Sequence, residues 1–350
     1  MKYDVIIVGA GIAGTSAAIN LKKLDDTLKI LVIEKYTFPR SKLCAGYLTK
    51  KSTVLFRKLG IDVEALDYKL VKGLSIIYKG RTRIHSKNHG LYCQKLVDRT
   101  VLDYALFQQL NDVDILENTN IKSLHDTTAE LSDGSQHEFA SIIFSDGEAG
   151  YSSKFNDENK KYFCMQVNFE YESTPKIDMF FGIVHKGYAW CASSGAYINI
   201  GFCDIYDEAV DYKKIFEGFC GQLGFQEHAE NARGFFVPFS IKKNRIINDT
   251  IYLVGDSVGL VDPLTLAGIS YAVIGGECVA KSIVHNDNEI YLGYLKKVEL
   301  KFRILALISK ILYAKLFLFI FVSVCGRFLG KPFSYVLDKF ILNKTNSFHE

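Results

Sequence analysis

Residues 3–35 read YDVIIVGAGIAGTSAAINLKKLDDTLKILVIEK, and the order of residue types in this stretch decides the fold. The apolar run to Val8 predicts a strand. Gly9, Gly11 and Gly14 then form G-x-G-x-x-G, an alanine-rich segment predicts a helix, and a second apolar run ends in Glu34. Gly9 allows a tight turn, Gly11 lets backbone N–H groups approach a pyrophosphate, and Gly14 lets the helix pack closely on the strand. Glu34 lies twenty residues beyond Gly14. A carboxylate there accepts hydrogen bonds from ribose hydroxyls and disfavours a 2′-phosphate, so the site specifies FAD or NAD rather than NADP. A glycine-rich turn in an ordinary α/β protein requires neither the flanking strand and helix nor the acidic residue.

A chain of 350 residues with 48% hydrophobic content buries a sizeable core and predicts two intimately joined domains. The net charge of +3 is unevenly spread, because residues 296–350 hold ten Lys or Arg against three Asp or Glu. The tail thus carries its own positive field. The eight cysteines form no C-x-x-C pair and no ligand spacing with histidine, so no metal site is expected. Reduced, mostly buried thiols and a first strand that starts directly after Met1-Lys2 are read as a cytoplasmic protein without a signal peptide. No nucleic-acid partner is expected. His85 and His89 are read as surface residues away from any helix.

After Glu34 comes the loop KYTFPRSKLCAG, then a helix reaching Leu59 and β-like runs over 70–85 interrupted by Lys79-Gly80. A helix with Asp98 as N-cap is expected within 97–110. Short strands are expected at 113–116, 121–125, 128–131 and 141–144. Strands at 162–172, 179–184, 188–192 and 196–202 suggest an antiparallel sheet, followed by a helix near 211–223. A strand at 250–254 leads to Gly255-Asp256, and Gly268 opens a small-residue helix through Ser282. That second strand–turn–helix suits the same long cofactor. An Asp at a strand end bonds a ribityl or phosphate-linked hydroxyl, and free N–H groups at a helix start stabilise charge on a reduced isoalloxazine.

Six motifs together resemble the geranylgeranyl reductases within the para-hydroxybenzoate-hydroxylase-like flavoproteins. They are GAGIAG with Glu34, FPRSKLCAG, Arg99 and Asp103 in VDRTVLDYAL, Asp146-Gly147, GYAWCASSGAYINIGF, and GDSVGLVDPLTLAGI. The likeness covers most of the chain. It implies an α/β fold with a Rossmann-like FAD-binding domain over 1–69, 96–155 and 245–290, an antiparallel-sheet substrate domain over 70–95 and 156–244, and a helical C-terminal region over 291–350. It implies that Gly9, Gly11, Gly14, Glu34, Arg40, Arg99 and Asp256 line FAD, that Ile121 touches adenine through its backbone, and that Gly268 and Ile269 face the flavin. Tyr188 and Trp190 are placed against the substrate by the likeness of GYAWCASSG to the family's Tyr-x-Trp-x-Phe-Pro element. The chain departs from that element, with Ala192-Ser193 at the Phe-Pro positions and Cys203 where a second glycine follows Gly201. Smaller side chains at 192 and 193 enlarge the space for substrate. The Trp-x-Trp-x-Ile-Pro element of flavin halogenases is not matched either.

Cys44 is similar to the family's cysteine beside the flavin, where a thiol donates a proton or positions substrate; read from its turn alone it equally well fills a small space. Without the resemblance Trp190 is a core aromatic and Arg99 a solvated charge. In the tail the longest uncharged run, 316–326, has 11 residues, short of the roughly 20 that span a bilayer. It is either a buried helix or an interfacial one in peripheral contact with the inner face of a membrane. The resemblance implies FAD-dependent reduction of carbon–carbon double bonds in a polyprenyl or similarly apolar substrate, with electrons from an external donor that the sequence does not identify. The alternatives are a flavin monooxygenase or halogenase-like enzyme acting on an aromatic or carrier-bound substrate, and a flavin-binding protein whose substrate space is blocked.

Overall fold

The computed structural model describes residues 1–71, 73–78, 81–87, 95–155 and 161–313. Its first sheet runs, in spatial order, Ile246–Ile247, Ile251–Leu253, Gln136–Phe144, Lys2–Val8, Ile30–Ile33 and Asp114–Leu116. The four inner joints of this path that follow Ile251–Leu253 are parallel. Parallel strands are covered on both faces, which is why Val5, Ile6, Ile7, Ile142 and Ile143 are all fully buried. Gln136–Phe144 starts earlier than its apolar end predicts. Its first half also pairs antiparallel with Thr128–Leu131, which in turn pairs with Ile121–His125, and those backbone bonds hold polar residues in the strand.

The second sheet runs Arg233–Pro238, Lys161–Glu170, Tyr197–Ile205, Gly187–Ser193, Lys176–Phe181, Gly73–Tyr78 and Arg81–Lys87. It is antiparallel as expected except at one joint, where Lys176–Phe181 pairs parallel with Gly73–Tyr78. The chain leaves this sheet after residue 87, builds elements of the first and third sheets, and re-enters at 161, so those two strands meet through a crossover rather than a hairpin. His85 lies in the last of these strands, off any helix as expected, while His89 lies outside the described residues. A small third sheet of Tyr47–Leu48, Lys95–Val97 and Tyr68–Leu70 has no counterpart in the sequence reading, because two- and three-residue strands carry no periodicity.

Six helices are described: α1 (Ile12–Leu24), α2 (Lys50–Lys58), α3 (Arg99–Phe107), α4 (Tyr212–Leu223), α5 (Ile269–His285) and α6 (Asn288–Leu312). Asp98 caps α3 by accepting from Thr100 N at 2.7 Å, as its position predicts. Helix α2 starts with a capping box between Thr49 and Ser52.

The second sheet is the middle layer. On one face Phe202, Ile200, Ala189 and Cys191 pack against Phe216, Phe219 and Cys220 of α4. On the other, Tyr162, Cys164, Tyr188 and Cys203 join the core built on the first sheet, with Trp190, Met179 and Phe181 packed against it. Alternation along the strands sends neighbouring residues to opposite cores.

Among the described residues no helix is long and apolar enough to cross a membrane. The run at 316–326 lies outside them.

Candidate functional site

Gly9 has φ +95°, and a Cβ there would lie 2.7 Å from the Ser145 carbonyl oxygen. Gly14 is tighter still, its Cβ position being 2.0 Å from the Gly9 oxygen. Gly11 differs: a Cβ would meet only the Arg40 guanidinium, at 3.6 Å. The space in front of Gly11 is the cradle a pyrophosphate requires, and Gly11 caps α1 without any side-chain hydrogen bond, leaving first-turn N–H groups for an anion.

Helix α5 also starts on an uncapped glycine, Gly268. The two helices interlock at Gly276, where a Cβ would lie 2.7 Å from the Ala13 oxygen, and Ser16 Oγ donates to the Val273 carbonyl at 2.8 Å. Ser16 and Val273 each lie about one turn inside their helix, so both N-termini come within about 6 Å of this bond along their axes. Asp256 adjoins Gly268, whose Cβ would be 3.7 Å from Asp256 Oδ1, and faces Lys42 Nζ at 3.9 Å. Structure therefore places Gly9, Gly11 and Gly14 at the start of α1 and Asp256, Gly268 and Ile269 at the start of α5, each start about one turn from the point where the helices interlock.

Glu34 is buried, accepting from Ala10 N at 2.9 Å and Tyr36 N at 3.2 Å. Its backbone receives Thr119 N, which places Ile121 two residues beyond the Glu34 strand end. Arg40 lies between carboxylates, 3.5 Å from both Glu34 and Asp103. Arg99 is committed to Asp103 through two bonds of 2.8 and 3.1 Å. The solvated alternative for Arg99 is thereby removed, since it is 6% exposed. Burial works against its charge, but the Asp103 carboxylate outweighs that and holds it firmly protonated.

Cys44 is half-buried and lies near the Arg99 guanidinium. Gly46 explains the approach: at φ +72° it lies against strand Lys95–Val97, a Cβ would be 2.1 Å from the Val97 oxygen, and Val97 N donates to the Gly46 carbonyl. The other described cysteines are structural thiols. Burial pushes Cys203 and Cys278 up to about 12 and Cys191 and Cys220 up to about 11.

Tyr188 and Trp190 share the sheet face that meets the core built on the first sheet. The Tyr188 hydroxyl donates to the Thr265 carbonyl, and the Trp190 indole N–H to Asn199 Oδ1. Ala192 and Ser193 are both buried, and Ser193 bonds Ser173 across the end of the sheet. Sequence reasoning missed the tyrosines 162 and 313, whose hydroxyls hold the segment just before Gly268. Only spatial proximity reveals them.

A profile of the tryptophan halogenase family matches residues 4–78. The chain is 28% identical over 294 residues to an uncharacterised protein of Methanosarcina barkeri, covering 81% of this chain and 74% of that one. It is 28% identical over 320 residues to digeranylgeranylglycerophospholipid reductase 3 of Methanosphaera stadtmanae, covering 82% and 79%. A geranylgeranyl bacteriochlorophyll reductase-like protein of Thermoplasma acidophilum superposes with a TM-score of 0.77 at 19% identity over 97% of each chain. Nucleotide cradle, paired helix N-termini and overlying sheet define an FAD-dependent flavoprotein oxidoreductase. Within that class the chain is similar to relatives named as reductases of geranylgeranyl lipids.

Proposed function

We propose that this enzyme reduces carbon–carbon double bonds of a polyprenyl or similarly apolar chain. The observation that carries the reading is the sheet face opposite the cofactor cradle, where Met179, Phe181, Tyr188 and Trp190 offer an apolar surface packed on the nucleotide-side core. It is supported by the relatives named as reductases of geranylgeranyl lipids. FAD fits the open cradle at Gly11 and the two uncapped helix starts, and when reduced it supplies hydride. In this reading the N–H groups at Gly11 and Ile12 hold the pyrophosphate, Glu34 holds the adenosine ribose, and the Ile121 backbone meets the adenine. Arg40 and Arg99 with Asp103 brace that end, Asp256 bonds the phosphate-linked chain, and Gly268 and Ile269 approach the flavin. The Cys44 thiol, with Arg99 beside it, hands a proton to the second alkene carbon. Tyr188 and Trp190 exclude water and line the chain. An external donor returns the electrons.

The halogenase profile covers only 4–78, which is mostly cofactor cradle and therefore common to reductases and oxygen-using relatives. Reaction class is decided by experiment. Chemically reduced enzyme kept without oxygen is expected to saturate a geranylgeranyl substrate, with one flavin reoxidised per double bond. Cys44→Ser should keep its FAD and lose turnover, because a hydroxyl is a far weaker acid than a thiol. Product that forms only with oxygen would replace the assignment with a monooxygenase or halogenase.

Peripheral membrane contact belongs to the same reading. Leu300, Ile304, Leu307 and Ile311 of α6 are each more than half exposed along one stripe.

A further inference from the structure

Across the sheet face that meets the nucleotide-side core, Met179, Trp190, Gly201 and Gln166 stand in one register row on four adjacent strands. Gly201 is the gap in that row. A Cβ there would be 2.3 Å from the indole Cζ2 and 3.0 Å from Gln166 Cβ, so the Trp190 ring lies over Gly201 and reaches towards Gln166.

One register pair further along, the polar groups are linked to one another. Trp190 Nε1 donates to Asn199 Oδ1, which fixes the Asn199 amide so that its Nδ2 donates to Asn168 Oδ1. That relay locks the indole in place. Gln166 is different: its side chain is 2% exposed, and its Nε2 is buried with no hydrogen-bond partner. A buried amide N–H group without a partner is costly, and native proteins keep one chiefly where a water or ligand completes it.

We propose that the Gln166 carboxamide is a specificity-determining donor that anchors an acceptor oxygen of the substrate beside the Trp190 indole. The proposal rests on the apolar-chain reading of this face and adds to it that the chain must carry an oxygen. A pure hydrocarbon leaves the amide unpaired. An ether or alcohol oxygen completes it.

Trp190 is the only tryptophan of the chain, so its fluorescence reports this row without any turnover. The FAD-loaded enzyme is titrated with geranylgeraniol, its methyl ether, and the hydrocarbon of the same chain without oxygen. Because Gln166 donates, the ether should bind as tightly as the alcohol, and both about tenfold more tightly than the hydrocarbon. In Gln166→Met the three ligands should become equal, with the hydrocarbon affinity unchanged. Gln166→Leu also removes the NH2, without adding an ionisable group, and must likewise lose the preference, which covers the case in which the Met variant does not fold. Equal affinities in the wild type, or a preference that survives either substitution, overturns the proposal. An unchanged fluorescence while the double bonds are still reduced overturns it too and leaves the reductase reading intact. The predicted binding order without reduction upholds the anchor and removes the reductase reading instead.

Discussion

The Tyr188 hydroxyl donates to the Thr265 carbonyl at 2.9 Å, joining the second sheet to the segment that leads into α5. Tyr162 donates to Pro263 O and Tyr313 to Leu264 O, both also at 2.9 Å, so three tyrosines hold three successive carbonyls. From inside the turn, Asp262 Oδ1 accepts from Leu264 N at 2.8 Å and Thr265 N at 3.2 Å. Leu266 then takes a positive φ of 55° before Gly268 starts the helix. A turn whose polar groups are satisfied from both sides is rigid. The aromatic sheet and the α5 N-terminus are thereby held in one fixed relation.

Tyr188→Phe should therefore cost about 1 kcal/mol, the net value of one hydrogen bond, with the Thr265 carbonyl left unpaired. In a chain of this size that is a melting shift of roughly 1–3 °C. Adding Tyr162→Phe should more than double the loss, because the two hydroxyls hold one turn. Thermal unfolding of the FAD-bound protein measures it. Additive or smaller losses would show that the turn stands without the tyrosines.

The glycines of the first turn should separate fold from cofactor. Gly14→Ala places a methyl 2.0 Å from backbone oxygen, so the helix must move off the strand and the protein should lose several kcal/mol of stability. Gly11→Ala meets nothing closer than 3.6 Å. That variant should fold with nearly unchanged circular dichroism and melting as apoprotein, yet bind FAD at least tenfold more weakly. Both are read by melting and by flavin titration, and tight FAD binding by Gly11→Ala would move the pyrophosphate away from this turn.

The cradle was legible from sequence because each of its glycines answers a local steric demand within one strand–turn–helix unit. Glu34, Arg99 and Asp103 were legible as types at fixed spacing. Their partnership was not: Arg40 bridging Glu34 and Asp103, and Arg99 reaching Cys44, depend on loops that meet only after folding. The same holds for Tyr162 and Tyr313, which read as ordinary aromatics in a strand and in the helical C-terminal region. Gln166 alternates correctly for a strand facing the core, and sequence gives no sign that its amide lacks a partner. The parallel joint between 73–78 and 176–181 escaped because pairing partners more than ninety residues apart leave no periodic trace.

Asp262 provides a pH test. Burial raises its pKa, against the hydrogen bonds from Leu264 and Thr265 that lower it, so the folded state favours the protonated acid more than the unfolded chain does. A raised folded pKa means the carboxylate destabilises the protein above that pKa, and the penalty disappears as pH falls through it towards the ordinary value of 3.8. Asp262→Asn keeps the acceptor oxygen and carries no charge. It should be as stable as the wild type or more so at pH 7, with the difference shrinking as pH falls towards the ordinary carboxyl value of 3.8. Urea unfolding at several pH values tests this, and a difference that grows on acidification would mean that the charge of Asp262 stabilises the turn.

The last prediction concerns α6. Leu300, Ile304, Leu307 and Ile311 are 64%, 53%, 61% and 53% exposed, at spacings that place them on one side of the helix. Arg303 and Lys310 are exposed nearby, and Lys296 carries a further exposed ammonium. An apolar stripe bordered by cations suits an anionic bilayer surface, with the side chains in the acyl boundary and the ammonium groups at the phosphates. The enzyme should sediment with anionic liposomes, less with neutral ones, and less again as salt screens the headgroups. Leu300→Asp with Leu307→Asp should weaken binding on the order of tenfold per side chain, since each removes well over 1 kcal/mol of apolar burial. Melting and FAD content should stay unchanged in that double variant, because neither side chain packs against the core. Failure to bind either liposome, or binding indifferent to the double substitution, would take the membrane away from α6.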